Sequence, residues 1–217
     1  MERKRYQAIL FDLDGTLIDN YASFWQAFDG FAAEFPNVFR TEDEVQRATW
    51  IDVYYRSNRK LAYQAFCKRY GWQDAPEFEE VWKLWFSHYV QHAQPFPWTV
   101  DLLTHLKEKQ IAIGILTNGS SEYQRKKLRS SALNCYFEHV LVSEEIGIAK
   151  PSPEPYRLMA ELLQAPISEC LFVGDTPHTD VLGAKNAGMD SLLVSGKSDP
   201  IGATYHANDI TFLMELI

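Results

Sequence analysis

Apolar positions along the chain follow two patterns, and the two occupy different stretches. Tyr6–Phe11 is almost continuously apolar and runs into a glycine-containing turn, as a strand buried on both faces does. Similar runs recur at Ile111–Leu116, Val140–Val142, Cys170–Val173 and Ser191–Val194. Between and after them, helical periodicity and start and stop signals predict helices near 120–131, 153–164, 179–187 and 205–217. Ser152-Pro153 reads as an N-cap followed by proline in the first helical position, and Gly188 suits the left-handed residue after a helix end. Strands alternating with helices imply a doubly wound parallel sheet, a Rossmann-like α/β fold with helices on both faces.

Residues 18–95 break that alternation. They hold no clear β run, and stretches such as DNYASFWQAFDGFAAEF and PEFEEVWKLWFSHYVQH are rich in helix formers and aromatic rings. The division expected is an α/β core of residues 1–17 and 96–217 with an all-helical insertion at 18–95, the chain returning through Pro95-Phe96-Pro97.

Composition narrows the function classes. The 217 residues are 46% hydrophobic and 23% charged, which is ordinary for a globular protein and excludes disorder as the main state. Lys and Arg total 21 against 29 Asp and Glu, a net charge of −8, so nucleic-acid and anionic-membrane binding are disfavoured. No apolar run is long enough for a membrane span. The basic opening MERKR precedes only a short apolar stretch broken by Asp12 and Asp14, so it reads as the first strand of a cytoplasmic protein rather than a secretory signal. Cys67, Cys135 and Cys170 are odd in number and lack C-x-x-C spacing, which argues against a disulfide framework or a zinc site.

The candidate chemistry stands at the strand ends. Asp12-Leu13-Asp14-Gly15-Thr16 follows the first strand, and alternation would bring both carboxylates out together where open parallel sheets bind ligands. Such a pair splits into an ionised nucleophile or metal ligand and a protonated general acid; the plain alternative is a solvent-facing turn. Gly174-Asp175-Thr176-Pro177-His178-Thr179-Asp180 follows another buried strand, and a carboxylate there completes an oxygen shell suited to Mg²⁺. Thr117-Asn118 and Lys150-Pro151 follow two more strands, with the hydroxyl, backbone amide and ammonium that a phosphate dianion takes.

In these four motifs, and in VSEEIGIAKPSPEPY and DVLGAKNAGM, the whole chain resembles the haloacid dehalogenase-like hydrolase superfamily. The resemblance implies that residues 18–95 form a helical cap over the site, favouring small metabolites. Phosphate-acting members carry Asp where Asp14 stands, so a phosphatase is implied rather than a dehalogenase. By the same resemblance, Asp12 forms an aspartyl-phosphate and Asp14 acts as acid and base. Mg²⁺ is held by the Asp12 and Asp175 side chains and the Asp14 carbonyl. Thr117 and Lys150 bind the phosphoryl oxygens with Asn118 close by, and Asp180 orders metal-bound water or caps a helix. The substrate expected is a nucleoside monophosphate or sugar phosphate, and the protein a monomer or homodimer. A β-phosphoglucomutase-type mutase and a non-catalytic phosphate-responsive module are the alternatives. His88 and His92, His178, and Arg56 and Arg59 are further candidates, each with a plain reading as core or surface residues.

Overall fold

The computed structural model describes residues 6–194 and 202–217; the basic opening of the chain lies outside them. In chain order the elements are β1 (Ala8–Phe11), α1 (Asn20–Ala33), α2 (Glu44–Tyr55), α3 (Arg59–Tyr70), α4 (Phe78–Gln91), α5 (Thr99–Glu108), β2 (Ala112–Thr117) and α6 (Ser121–Ser130). They continue with β3 (His139–Val142), α7 (Ser143–Ile146), α8 (Glu154–Leu162), β4 (Cys170–Gly174), α9 (Leu182–Ala187), β5 (Asp190–Val194), β6 (Tyr205–Ala207) and α10 (Leu213–Leu216). The chain divides into two compact units, one of Met1–Asp19 with Pro95–Ile217, the other Asn20–Gln94.

The first unit is built on a six-stranded sheet in the order β3-β2-β1-β4-β5-β6. Every neighbouring pair is parallel. Central strand β1 pairs Phe11 with Ile115 on one side and Val173 on the other. All four of its residues are buried, as expected for a strand covered on both faces. The strand order reverses between β1 and β4, and this is where doubly wound sheets open a crevice at their carboxyl ends. Apolar residues from β1, β2 and β4 pack with Tyr156 and Met159 of α8 and Ala184 and Ala187 of α9 in one continuous core.

The helical unit buries rings. Phe31 stacks on Trp50 at 4.8 Å between centroids and meets Trp85 edge-on at 5.2 Å. Phe24, Phe28 and Tyr89 are fully buried beside them. Caps set its helix starts: Asp43 accepts from the Gln46 N–H and Asn58 from the Leu61 N–H.

Three elements differ from the sequence reading. The tail expected as one helix at 205–217 opens with edge strand β6 on β5, then a 3₁₀ turn at Ile210–Phe212 and short helix α10. Three residues are too few to show a β period against a helical one. The helix expected from 179 begins as a wide π-helical turn at Pro177–Val181 before α9. Helix α8 starts at Glu154, so Pro153 takes the cap position rather than the first turn. The three cysteines are free. Among the described residues no helix is long and apolar enough to cross a membrane.

Candidate active site

Sheet termination positions the acids. β1 ends at Phe11, and the Asp12 N–H still bonds the Val173 carbonyl at 2.9 Å, so Asp12 is held against the end of β4. Beyond it the chain turns through Gly15 at φ +77°, a left-handed conformation that favours glycine. A Cβ there would also lie 2.3 Å from Asp175 Oδ2. The Asp180 carboxylate presses in the same way on Gly174, where a Cβ would come within 2.3 Å. Glycine at both positions lets the β1 and β4 loops and their carboxylates close up.

Lys150 is the hub. Its side chain is 2% exposed, and its Nζ lies 2.9 Å from Asp12 Oδ1 and 2.7 Å from Asp180 Oδ1. Asn118 fixes the Lys150 main chain from both sides, donating from Nδ2 to the Lys150 carbonyl and accepting the Lys150 N–H at Oδ1, each at 2.9 Å. The Asn118 side-chain amide is thereby engaged in placing the lysine. Ser143 accepts the Gly119 N–H and Glu144 the Ser121 N–H, which tie the loop after β2 to the start of α7. Thr117, the last residue of β2, is buried, and its Oγ1 accepts from Gln124 Nε2 at 2.7 Å.

Burial pushes the Asp12 carboxyl up to about 7; Lys150 pulls it down, and Asp180 and Asp175 push it further up. Asp175 rises to about 6, chiefly from burial and then from Asp180. Burial by itself would lower Lys150, but Asp12 and Asp180 outweigh it and hold the ammonium above its ordinary range. One oxygen from each of Asp12, Asp175 and Asp180 lies within 4.8 Å of the others. With all three ionised, the carboxylates would exceed the one ammonium by two charges. An all-oxygen set with that excess fits a hard divalent cation such as Mg²⁺. Asp180 is already engaged: Oδ1 accepts from Lys150 and from the Thr179 hydroxyl, and Oδ2 from the Thr176 N–H. Asp12, bonded by Lys150, and Asp175, bonded by the Thr176 hydroxyl, carry fewer such bonds and could hold an ion directly.

The Asp14 carboxylate is not part of the Asp12, Asp175 and Asp180 cluster. Alternation stops where β1 stops, and the Asp14 carboxylate turns to α6. Lys127 Nζ lies 2.8 Å from both of its oxygens, and Gln124 Nε2 lies 2.9 Å from Oδ2. Both partners are buried residues of α6 that sequence reading missed. Their signal is present in the chain: Gln124 and Lys127 stand three apart, on one face of a helix starting just beyond Thr117-Asn118.

The remaining candidates are committed to other contacts or exposed. His88, in α4, sits against Gly30 and 3.8 Å from Glu34, and burial lowers its pKa. His88 and His92 belong to no potential metal cluster among the described residues. Arg56 pairs with Asp52, while Arg59 donates to the Tyr54 carbonyl and lies over the Tyr54 and Trp82 rings. His178 is exposed.

Comparison with known proteins agrees with this geometry. Residues 6–188 match the model of the haloacid dehalogenase-like hydrolases. The pyrimidine 5′-nucleotidase YjjG of Escherichia coli is 29% identical over 192 residues, covering 85% of this chain and 84% of that protein. The N-acylneuraminate-9-phosphatase of Rattus norvegicus is 26% identical, covering 94% and 88%. The crystal structure of YfnB from Bacillus subtilis bound to magnesium superposes with a TM-score of 0.75 at 25% identity, covering 98% of this chain and 99% of that one. With its acids and lysine gathered at the carboxyl ends of a parallel sheet and the family model matched across most of its length, the chain belongs to the haloacid dehalogenase-like hydrolases.

Proposed function

We propose that this chain, a phosphatase of the haloacid dehalogenase-like hydrolases, hydrolyses a small phosphate monoester with Mg²⁺ through an aspartyl-phosphate on Asp12. The observation that carries the reading is the Lys150 ammonium bonded at once to Asp12 and Asp180, with an Asp175 oxygen in the same cluster. Asp12 and Asp175 side chains and the Asp14 carbonyl would hold the ion, and Asp180 would orient the waters on it. When bound, Mg²⁺ would supply charge neutralisation for a phosphate dianion entering a site rich in carboxylates, and would favour their ionised form.

The Asp12 carboxylate attacks phosphorus and the bond to the leaving oxygen breaks. Asp14 gives that oxygen a proton, then takes one from the water that cleaves the acyl phosphate, which frees inorganic phosphate and regenerates Asp12. Lys150 and the Thr117 hydroxyl bind phosphoryl oxygens, while Asn118 holds Lys150 in place through its main chain. The substrate is a nucleoside monophosphate or a phosphorylated sugar, the classes named in the nucleotidase and acylneuraminate phosphatase relatives.

Acid-quenching the enzyme during turnover of p-nitrophenyl phosphate in Mg²⁺, followed by peptide mass spectrometry, tests the reading. A phosphoryl adduct on the peptide carrying Asp12 is expected. Full turnover with no adduct, or full turnover in excess chelator, defeats it. A panel of phosphorylated metabolites ranked by kcat/KM then identifies the substrate.

A further inference from the structure

We propose that Lys127 is a positioning residue, which acts by aiming the Asp14 carboxylate for its proton transfers, with Gln124 tying that carboxylate to Thr117. The inference rests on the reading of Asp14 as acid and base. Lys127 Nζ lies 2.8 Å from both Asp14 oxygens, a two-point contact that fixes the orientation of the carboxylate as well as its location. The lysine side chain is 4% exposed and that of Asp14 24%. Burying an ammonium is costly unless it is paired, so a residue chosen only to fill the core under α6 would be apolar. Asp14 stays partly exposed while Lys127 holds both of its oxygens, so the anchored carboxylate can still be reached by a substrate. Gln124, one helical turn before Lys127, bonds Asp14 Oδ2 at 2.9 Å and Thr117 Oγ1 at 2.7 Å from a single nitrogen. The acid–base group and a phosphate-binding hydroxyl are thereby referenced to one helix face. A misplacement of reacting groups by about 1 Å costs on the order of 100-fold in rate, so such a mount is worth its burial cost.

The test is a double-mutant cycle in kcat/KM with Mg²⁺, using wild type, Lys127→Met, Asp14→Asn and the double variant. Each is assayed on β-glycerophosphate, whose alkoxide needs a proton to leave, and on p-nitrophenyl phosphate, whose phenolate does not. Lys127→Met is expected to lose ~10- to 100-fold on β-glycerophosphate and far less on p-nitrophenyl phosphate. In the Asp14→Asn background the same change should cost less than ~2-fold, because a residue acting only through Asp14 has nothing left to aim. Lys127→Arg should recover part of the loss. Equal losses in both backgrounds would show Lys127 acting on its own, on the phosphate for instance, and would overturn the inference. Equal losses on both substrates, or no loss at all, would overturn it too. If Asp14→Asn alone keeps wild-type activity on β-glycerophosphate, the reading of Asp14 itself falls, and that result is seen independently of Lys127. Thermal melts accompany each variant, and Lys127→Gln replaces Lys127→Met in the cycle if the methionine variant does not fold.

Discussion

The two units of the chain differ in whether buried charges meet one another. In the helical unit the buried polar residues among those described are Ser23 and Gln46, and both serve the main chain. Ser23 Oγ accepts the Gln94 N–H, while Gln46 donates to the Val38 carbonyl and accepts the Arg40 N–H. In the α/β unit, buried or nearly buried charged groups bond one another at the strand ends: Lys150 with Asp12 and Asp180, Lys127 with Asp14. A buried group that satisfies the backbone repays its own desolvation locally and explains itself as fold. Buried charges that face each other without full neutralisation do not, and a site that binds charge is the physical reason to keep them. The difference separates a scaffold from a reaction centre without reference to any relative.

Four experiments probe that contrast. The largest effect is expected from Asp12→Asn, which keeps the shape and removes the proposed nucleophile. Activity should fall below ~1% of wild type while the melting temperature holds or rises, since one of three clustered carboxylates has lost its charge. Greater residual turnover would remove Asp12 from the chemistry. Next comes Lys150→Met, which strands Asp12 and Asp180 together in the interior. Breaking a buried pair from one side costs about 3 to 5 kcal/mol, to be read from urea unfolding, and turnover should vanish as well. A stability unchanged by Lys150→Met would mean that the carboxylates find other compensation.

On the helical side, Phe31→Ala opens a hole between Trp50, Trp85 and Phe39. The expected loss is about 3 kcal/mol, and because the contacts removed are between neutral rings it should be the same at low and high salt. A salt-dependent loss would show that the aromatic core is not the neutral scaffold described. The most gradual effect, spread over several pH units, is a pH slope. Asp12 titrates at about 7 in the fold against an ordinary 3.8, so between those values the folded state keeps a proton that the unfolded chain has released. Its contribution to stability therefore falls as pH rises through that window. In chelator, the stability of wild type minus Asp12→Asn should decline by up to about 1.4 kcal/mol per pH unit there. Mg²⁺ should flatten the decline, because a bound dication favours the ionised acid. A flat difference in chelator would show Asp12 ionised throughout.

Much of this architecture is legible in the amino-acid sequence alone. Continuous apolar runs of that length mark strands covered on both faces, so the parallel sheet and the positions of Asp12, Thr117, Lys150 and Asp175 at its carboxyl ends follow from short-range pattern. Family-like spacing adds roles to those positions. What short-range pattern does not contain is which charge meets which. Lys127 reads in sequence as one of several cations on a polar helix, and only the packing of α6 brings it 113 residues back along the chain to Asp14. Asn118 reads as part of a phosphate site, and only the approach of the loops after β2 and β3 shows that its side-chain amide also bonds the Lys150 main chain. The two aspartates of the first motif read as a pair only when alternation is extended past the strand; β1 ends at Phe11, ahead of both, and their carboxylates bond different partners. Local periodicity decides where elements lie, because it reports one face of one element at a time. The partner of a buried charge depends on desolvation and distance across elements far apart in the chain, and those exist only once the fold has closed.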